Sequence, residues 1–137
     1  MNNSLTIMLI DDNEFDLYLY EKFIQIKKIS NQIIKFSSAK ESLNYLKLHD
    51  NSPWPDVIIL DIHMPVMDGF DFLKDYENFE SEKRKTTQII MVSSTLDSSD
   101  NERAIQNPSV LALLNKPLNL DELIVILKRK GILPEDF

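Results

Sequence analysis

The stretch of sequence that decides the fold is Val57-Ile58-Ile59-Leu60-Asp61, followed by Ile62-His63-Met64-Pro65-Val66-Met67-Asp68-Gly69. Four apolar residues, three of them β-branched, predict a strand that is buried on both faces. Pro65 and the pair Asp68-Gly69 predict a turn behind it. A carboxylate directly after a buried strand lies at the carboxyl end of that strand, where open α/β sheets bind their ligands. Asp61 is therefore the first candidate for a functional residue.

Similar apolar runs elsewhere predict four more strands, with helices between them. The strands are expected at Leu5–Ile10, Ile33–Phe36, Ile89–Val92 and Val110–Leu114. The helices are expected at about Glu14–Lys28 and Ala39–His49, after Gly69, at Ser98–Gln106, and after a cap at Asn119. Strands that alternate with helices in this way predict an α/β fold, a parallel five-stranded sheet with helices on both faces.

Helical spacing also predicts the apolar face of each helix. The sets are Phe15, Leu19, Phe23 and Ile26; then Ala39, Leu43 and Leu46; then Phe70, Leu73 and Tyr76; and finally Leu120, Leu123, Ile124 and Leu127. The segments Asn51–Pro55 and Glu80–Thr87 are expected to be loops.

The composition excludes several classes of function. The chain has 137 residues and a formal net charge of −7, from 22 acidic and 15 basic residues. This charge argues against direct nucleic-acid binding, which needs clustered Lys and Arg. The basic clusters Lys83–Lys85 and Lys128–Lys130 are expected to be a solvated loop and a helix C-terminus. With two glycines and no cysteine, the chain has neither a glycine-rich phosphate loop nor a disulfide or zinc–thiolate site.

The organisation of the chain is simple. No repeat or linker divides it, so a single domain is expected over residues 1–137, with its core at about 5–129 and a short tail at 131–137. Met1–Leu5 lacks the basic and apolar regions of a signal peptide, and no apolar run reaches the ~18 residues of a membrane span. We expect a cytoplasmic protein without membrane insertion.

Polar residues follow four of the predicted strands: Asp11-Asp12, Asp61, Ser93-Ser94 and Asn115-Lys116-Pro117. The carboxyl ends of parallel strands share one edge of a sheet, so these side chains should meet. Three carboxylates at close quarters repel one another, unless one is protonated or they share a cation. Oxygen ligands of this kind are typical of Mg²⁺. Of the two histidines, His63 is expected to act through its backbone and not through its ring.

Such a site favours phosphoryl transfer. Asp61 beside Mg²⁺ and the ammonium of Lys116 would be a competent nucleophile toward a phosphoryl group. The Ser93 hydroxyl could then hydrogen-bond the acyl phosphate. Ser93 could itself attack only if a base were near. No histidine stands in a triad-like place and no nucleophile elbow is present, which argues against acyl transfer.

From Leu5 to Arg129 the chain resembles the receiver domain of two-component response regulators. The resemblance rests on Asp11-Asp12, on Asp61 with Met64–Gly69, on Val92-Ser93-Ser94 and on Lys116-Pro117. It implies a flavodoxin-like, doubly wound sheet with strand order 2-1-3-4-5.

The resemblance also implies a role for each site residue. Asp61 would take a phosphoryl group from a phosphohistidine of a sensor histidine kinase or a phosphotransfer protein. Asp12 and Asp61 would bind Mg²⁺ directly with the backbone carbonyl of His63, and Asp11 would act mainly through water. Lys116 would pair with the phosphoryl oxygens, next to a cis Lys116-Pro117 bond.

Ser93 would be the switch hydroxyl, and the small Ser94 would leave the phosphoryl group room to enter. The chain departs from the family in two places. Leu113 stands where an aromatic residue is common, and Asn107-Pro108-Ser109 stands where a glycine is usual.

The expected function is that of a stand-alone phosphorylation-dependent switch, not a turnover enzyme. Its downstream protein target would bind the surface of Ser98–Gln106, the fifth strand and the last helix. Two alternatives stay open. A Mg²⁺-dependent phosphatase with an aspartyl-phosphate intermediate would want an acid where His63 stands. A flavodoxin-like flavin-binding protein would want a phosphate loop, which the acidic edge lacks.

Overall fold

The computed structural model describes residues 5–49, 54–95 and 97–137. These residues form five strands and six helices. In chain order they are β1 Thr6–Ile10, α1 Glu14–Ile26, β2 Gln32–Phe36, α2 Ala39–Leu48, β3 Val57–Asp61, α3 Gly69–Tyr76, α4 Ser81–Lys85, β4 Gln88–Ser93, α5 Ser98–Gln106, β5 Val110–Asn115 and α6 Leu120–Arg129.

The strands form one parallel sheet in the order β2-β1-β3-β4-β5. The chain moves outward from β1 to β2 and then crosses back to β3 on the other side of β1. The strand order therefore reverses between β1 and β3, which is where a doubly wound sheet opens a crevice at its carboxyl edge. The predicted fold class and strand order are confirmed.

The core consists of two apolar layers, one on each face of the sheet. Successive residues of a strand point to opposite faces, so Ile7 and Leu9 join one layer while Met8 and Ile10 join the other. Helices α1 and α6 cover the first layer, and α2, α3 and α5 cover the second. This double burial explains why the strands are continuous apolar runs.

Side-chain caps fix where the helices begin. Asn13, Ser38, Asp68, Asp97 and Asn119 each accept a hydrogen bond from a backbone N–H in the first turn of α1, α2, α3, α5 and α6 respectively. The cap at Asn119 agrees with the sequence prediction. Because a parallel strand leads directly into the helix behind it, these helix starts lie at the carboxyl edge of the sheet, near the strand ends.

The predicted apolar face of α1 is wrong. Phe15 and Ile26 are 66% and 72% exposed, Phe23 is also exposed, and the buried face is instead Leu17, Tyr20 and Ile24. Helix α1 carries apolar residues on both sides, so spacing alone could not choose between the two stripes. The predicted faces of α2, α3 and α6 lie against the core, although Phe70 and Ile124 are only half-buried.

The segment Glu80–Thr87 is not a plain loop, because it contains the short helix α4 with its basic cluster in the last turn. The observed strands extend one residue beyond the predicted runs at Asp61, Ser93 and Asn115. Met1–Ser4 and the Asn51–Pro53 part of the predicted loop lie outside the described residues. In the part of the chain that is described, no helix is long and apolar enough to cross a membrane.

Candidate functional site

The predicted site residues meet at the carboxyl edge of the sheet. Asp11 follows β1, Asp61 ends β3, Ser93 ends β4 and Lys116 follows β5. The backbone N–H of Lys116 donates to the Ser93 carbonyl over 2.8 Å, which fixes the start of the lysine loop beside β4. The Lys116-Pro117 bond is cis, as expected. The sheet order thus places the residues of four separate strands around one crevice.

Three carboxylates form the acidic part of the site. One oxygen from each of Asp11, Asp12 and Asp61 lies within 4.8 Å of the other two. Asp11 and Asp61 are buried, at 2% and 3% exposure, whereas Asp12 faces solvent. The all-oxygen donor set suits a hard divalent cation such as Mg²⁺, which would also relieve the repulsion among these charges. The residues present therefore fit the metal that the resemblance implies.

Lys116 is the cationic counterpart of these groups. Its Nζ lies 2.8 Å from an oxygen of Asp11, 3.2 Å from Asp16 and 3.5 Å from Asp61. Burial lowers the pKa of Lys116, but its hydrogen bond to Asp11 and the charges of Asp11 and Asp61 outweigh that effect and hold the pKa above its usual value. The ammonium therefore stays charged and pinned among three carboxylates.

Asp61 is electrostatically the most unusual of the carboxylates. Burial, followed by the negative charge of Asp11, raises the pKa of Asp61 to about 6 although Lys116 opposes the rise. Its Oδ1 accepts a hydrogen bond of 3.3 Å from the backbone N–H of His63. Its second oxygen faces Lys116. The ionised form of Asp61 is therefore destabilised by its surroundings, and a cation lies beside it. These are features of a carboxylate that can act as a nucleophile.

Two residues of this site, Asp16 and Tyr20, were not predicted from the sequence. They lie one turn apart on the side of α1 that faces the crevice. Asp16 accepts a hydrogen bond from Lys116, and burial together with the charges of Asp16 and Asp11 raises the pKa of Tyr20 to about 12, against the effect of Lys116. The available signal was spacing, because Asp16 lies four residues after Asp12 and Tyr20 four residues after Asp16. Two apolar stripes compete on α1, however, and spacing alone does not show which side of the helix faces the core.

The loop after Asp61 is shaped by two backbone features. The Met67 N–H donates to the Pro65 carbonyl over 2.7 Å, which closes a three-residue turn around Val66 at a φ of 69°. A positive φ is unusual for a β-branched residue, so this turn is strained. Gly69 then lies so close to β3 that a Cβ there would approach the Asp61 carbonyl oxygen to 2.9 Å. Only glycine permits α3 to start against the end of the strand.

Ser93 is fully buried, and its hydroxyl is held by the loop that follows β4. It donates to the Thr95 carbonyl, accepts from the Thr95 N–H at 3.1 Å and contacts Nε2 of His63 at 3.1 Å. The sequence predicts that His63 acts through its backbone, so this contact of its ring is a finding that the sequence did not predict. Ser94 is exposed and Leu113 is half-buried.

The sequence matches the family model described as the response regulator receiver domain over residues 7–128. The hybrid signal transduction histidine kinase D of Dictyostelium discoideum is 30% identical over 122 residues, which are 87% of this chain but 8% of that kinase. The sensor histidine kinase CheAY of Helicobacter pylori is 28% identical over 90% of this chain and 14% of its own length. The chain thus spans only a small part of these two relatives.

A relative of similar length is the polar-differentiation response regulator DivK of Brucella ovis, which is 25% identical over 90% of this chain and 93% of DivK. Among solved structures, a response regulator receiver protein from Dyadobacter fermentans superposes with a TM-score of 0.83 at 34% identity, over 92% of this chain and 97% of that one. The chain belongs to the response regulator receiver family.

Receivers are signalling domains of two-component systems, and this chain is a domain of that kind. Neither the phosphatase nor the flavin-binding alternative is favoured by any of these matches.

Proposed function

We propose that Asp61 is the residue of this receiver that accepts the phosphoryl group. The observation that carries the proposal is a buried carboxylate at the end of β3, with Lys116 Nζ 3.5 Å away and oxygens of Asp11 and Asp12 within 4.8 Å. Burial and the charge of Asp11 raise the pKa of Asp61, and Lys116 beside it supplies the positive charge that a phosphoryl group added there would need.

In the proposed reaction, one carboxylate oxygen of Asp61 forms a bond to the phosphorus of a phosphohistidine on the donor protein. The bond from phosphorus to the imidazole nitrogen breaks, and that nitrogen keeps the electron pair and takes a proton from solvent. The products are an aspartyl phosphate and a neutral histidine. Lys116 then turns from Asp61 toward the phosphoryl oxygens, where its charge stabilises the transferring group.

The acidic pair has a separate role. Asp12 and Asp61 would hold Mg²⁺ together with the His63 carbonyl, and Asp11, which is committed to Lys116 at 2.8 Å, would contact the metal mainly through water. When bound, the cation neutralises charge on the phosphoryl oxygens. Asp11 also keeps the ammonium in place before the donor arrives, since the two groups are buried against each other.

The phosphoryl donor would approach next to α1. Phe15 and Tyr18 lie in the first turns of α1, directly after the acidic pair, and both are exposed. A protein that brings a phosphohistidine to Asp61 must cover this adjoining apolar surface, so we propose that α1 binds the histidine kinase or phosphotransfer protein. Phe15→Ser should slow transfer from a protein donor but leave the reaction with a small phosphodonor unchanged.

The downstream target would bind the surface of α5, β5 and α6. In α5, only Asp100 and Ala104 are buried, so few contacts fix the helix and a change at Ser93 can shift it. Ile105 is 72% exposed on the same helix, and Arg103 stacks on the ring of Phe70 with 3.9 Å to its centroid. Phosphorylation would order the loop between β4 and α5 and so reposition this surface.

The test is phosphorylation by a small donor. With acetyl phosphate and Mg²⁺, the intact mass of the protein should rise by one phosphate, and Asp61→Asn should not gain it. Asp75→Asn is the matched control, because Asp75 is an exposed aspartate of α3 outside the site and should leave the mass gain intact. A wild type that stays unmodified, or an Asp61→Asn that is modified as readily, would contradict the proposal.

A further inference from the structure

The hydroxyl of Ser93 has every hydrogen-bonding position filled. A serine hydroxyl offers one hydrogen and two lone pairs. The hydrogen goes to the Thr95 carbonyl, one lone pair receives the Thr95 N–H at 3.1 Å, and the other faces His63 Nε2 at 3.1 Å. Because the single hydrogen is already used, Nε2 must carry its own hydrogen and donate it to Ser93.

The exposed His63 residue is tied to the site through one ring nitrogen and through its backbone. The same Nε2 lies 3.3 Å from the Thr95 hydroxyl, so one nitrogen contacts both Ser93 at the end of β4 and Thr95 in the loop that follows. The backbone N–H of His63 donates to Asp61 over 3.3 Å. His63 therefore connects the proposed phosphoacceptor, through its backbone, to the switch hydroxyl, through its ring.

A phosphoryl group on Asp61 has only acceptor oxygens toward Ser93. Ser93 can reach it only by withdrawing its hydrogen from the Thr95 carbonyl and leaving the loop. The His63 contact opposes that movement because it fixes the position of the oxygen without competing for the hydrogen. We propose that the His63 imidazole is a positioning residue that holds the Ser93 hydroxyl on Thr95 until Asp61 is phosphorylated, and we call this contact the latch. The proposal rests on the function proposed for Asp61.

This latch predicts a gain of affinity when the ring is removed. Beryllofluoride with Mg²⁺ serves as a non-covalent stand-in for the phosphoryl group. His63→Ala should bind it roughly three- to ten-fold more tightly than wild type, the factor of about one net hydrogen bond. His63→Gln should bind beryllofluoride with an affinity close to that of wild type, because the glutamine amide can donate a hydrogen bond to Ser93. The matched control is His49→Ala, which removes the other histidine at the C-terminal end of α2.

A double-mutant cycle separates the latch from a general structural effect. The Ser93→Ala variant has no hydroxyl for His63 to hold. Adding His63→Ala to that variant should therefore change the affinity for beryllofluoride by less than ~2-fold, because the hydrogen bond between the two side chains is already absent. Equal gains in both backgrounds, or no gain from His63→Ala in the wild-type background, would overturn the inference. A wild type that binds no beryllofluoride would instead contradict the proposed function.

The tautomer of His63 provides a readout that does not depend on phosphorylation. Nitrogen NMR of the unliganded protein at about pH 8 should show the ring hydrogen on Nε2, and Ser93→Ala should weaken that preference. A ring that carries its hydrogen on Nδ1 alone would overturn the latch even if Asp61 were phosphorylated normally.

Discussion

Asp61→Asn should stabilise the metal-free protein at neutral pH and leave it unchanged in acid. The folded protein raises the pKa of Asp61 from an ordinary 3.8 to about 6, mainly by burial and secondarily through Asp11. At ~1.4 kcal/mol per pH unit, this difference corresponds to about 3 kcal/mol of stability that is present below pH ~4 and lost as the pH rises through about 6. Asparagine has nearly the same shape but no charge, so it avoids that loss.

Urea unfolding of wild type and Asp61→Asn, measured in EDTA from pH 4 to pH 8, tests this reasoning. The fluorescence of Trp54, which is buried between Tyr76 and Phe79 in the α3 layer, can report unfolding. The free energy of unfolding of the variant should equal that of wild type near pH 4 and exceed it by about 3 kcal/mol near pH 8. Saturating Mg²⁺ should reduce this difference because it stabilises the wild type. A difference that does not change with pH would refute the assignment of a costly charge to Asp61.

Further substitutions test the same structure. Lys116→Met should destabilise the protein by about 3 kcal/mol near pH 8, because two buried carboxylates lose their cation. This loss of stability should be smaller near pH 5. Urea titrations that give the same loss at both pH values would show that the carboxylates are not its cause. Asp12→Ala should melt higher than wild type in EDTA yet lose the rise that Mg²⁺ gives, whereas equal Mg²⁺ shifts in both melting curves would exclude Asp12 as a ligand. Gly69→Ala should lower the stability by about 2 kcal/mol, because the new Cβ meets the β3 backbone. Gly131→Ala should lower it by about 1 kcal/mol, because there only a φ of 82° is unfavourable. Thermal melts that rank the two variants the other way would contradict the close approach at Gly69.

The sheet and the strand-end residues were predictable because they depend on local rules. Apolar runs set the strands, and the carboxyl edge of a parallel sheet brings Asp11, Asp61, Ser93 and Lys116 together whatever the details of packing. The position of Asp61 at the very end of β3 follows from the apolar run that precedes it.

Features that depend on tertiary contacts were not predictable. Two apolar stripes compete on α1, and packing on β1 and α6, not spacing, selects Leu17 over Phe15. Because spacing does not identify the buried stripe of α1, it does not reveal the contact of Asp16 with Lys116 either. The contact of the His63 ring with Ser93 joins residues thirty positions apart, which no periodicity reveals.

The central claim is that the phosphoryl group resides on Asp61, and borohydride reduction of the phosphorylated protein tests it most directly. Reduction converts an aspartyl phosphate into homoserine, and peptide mass spectrometry then locates that residue. We expect homoserine at position 61 and at no other aspartate. Homoserine at Asp11 or Asp12, or a phosphate that survives reduction on Ser93 or His63, would contradict it.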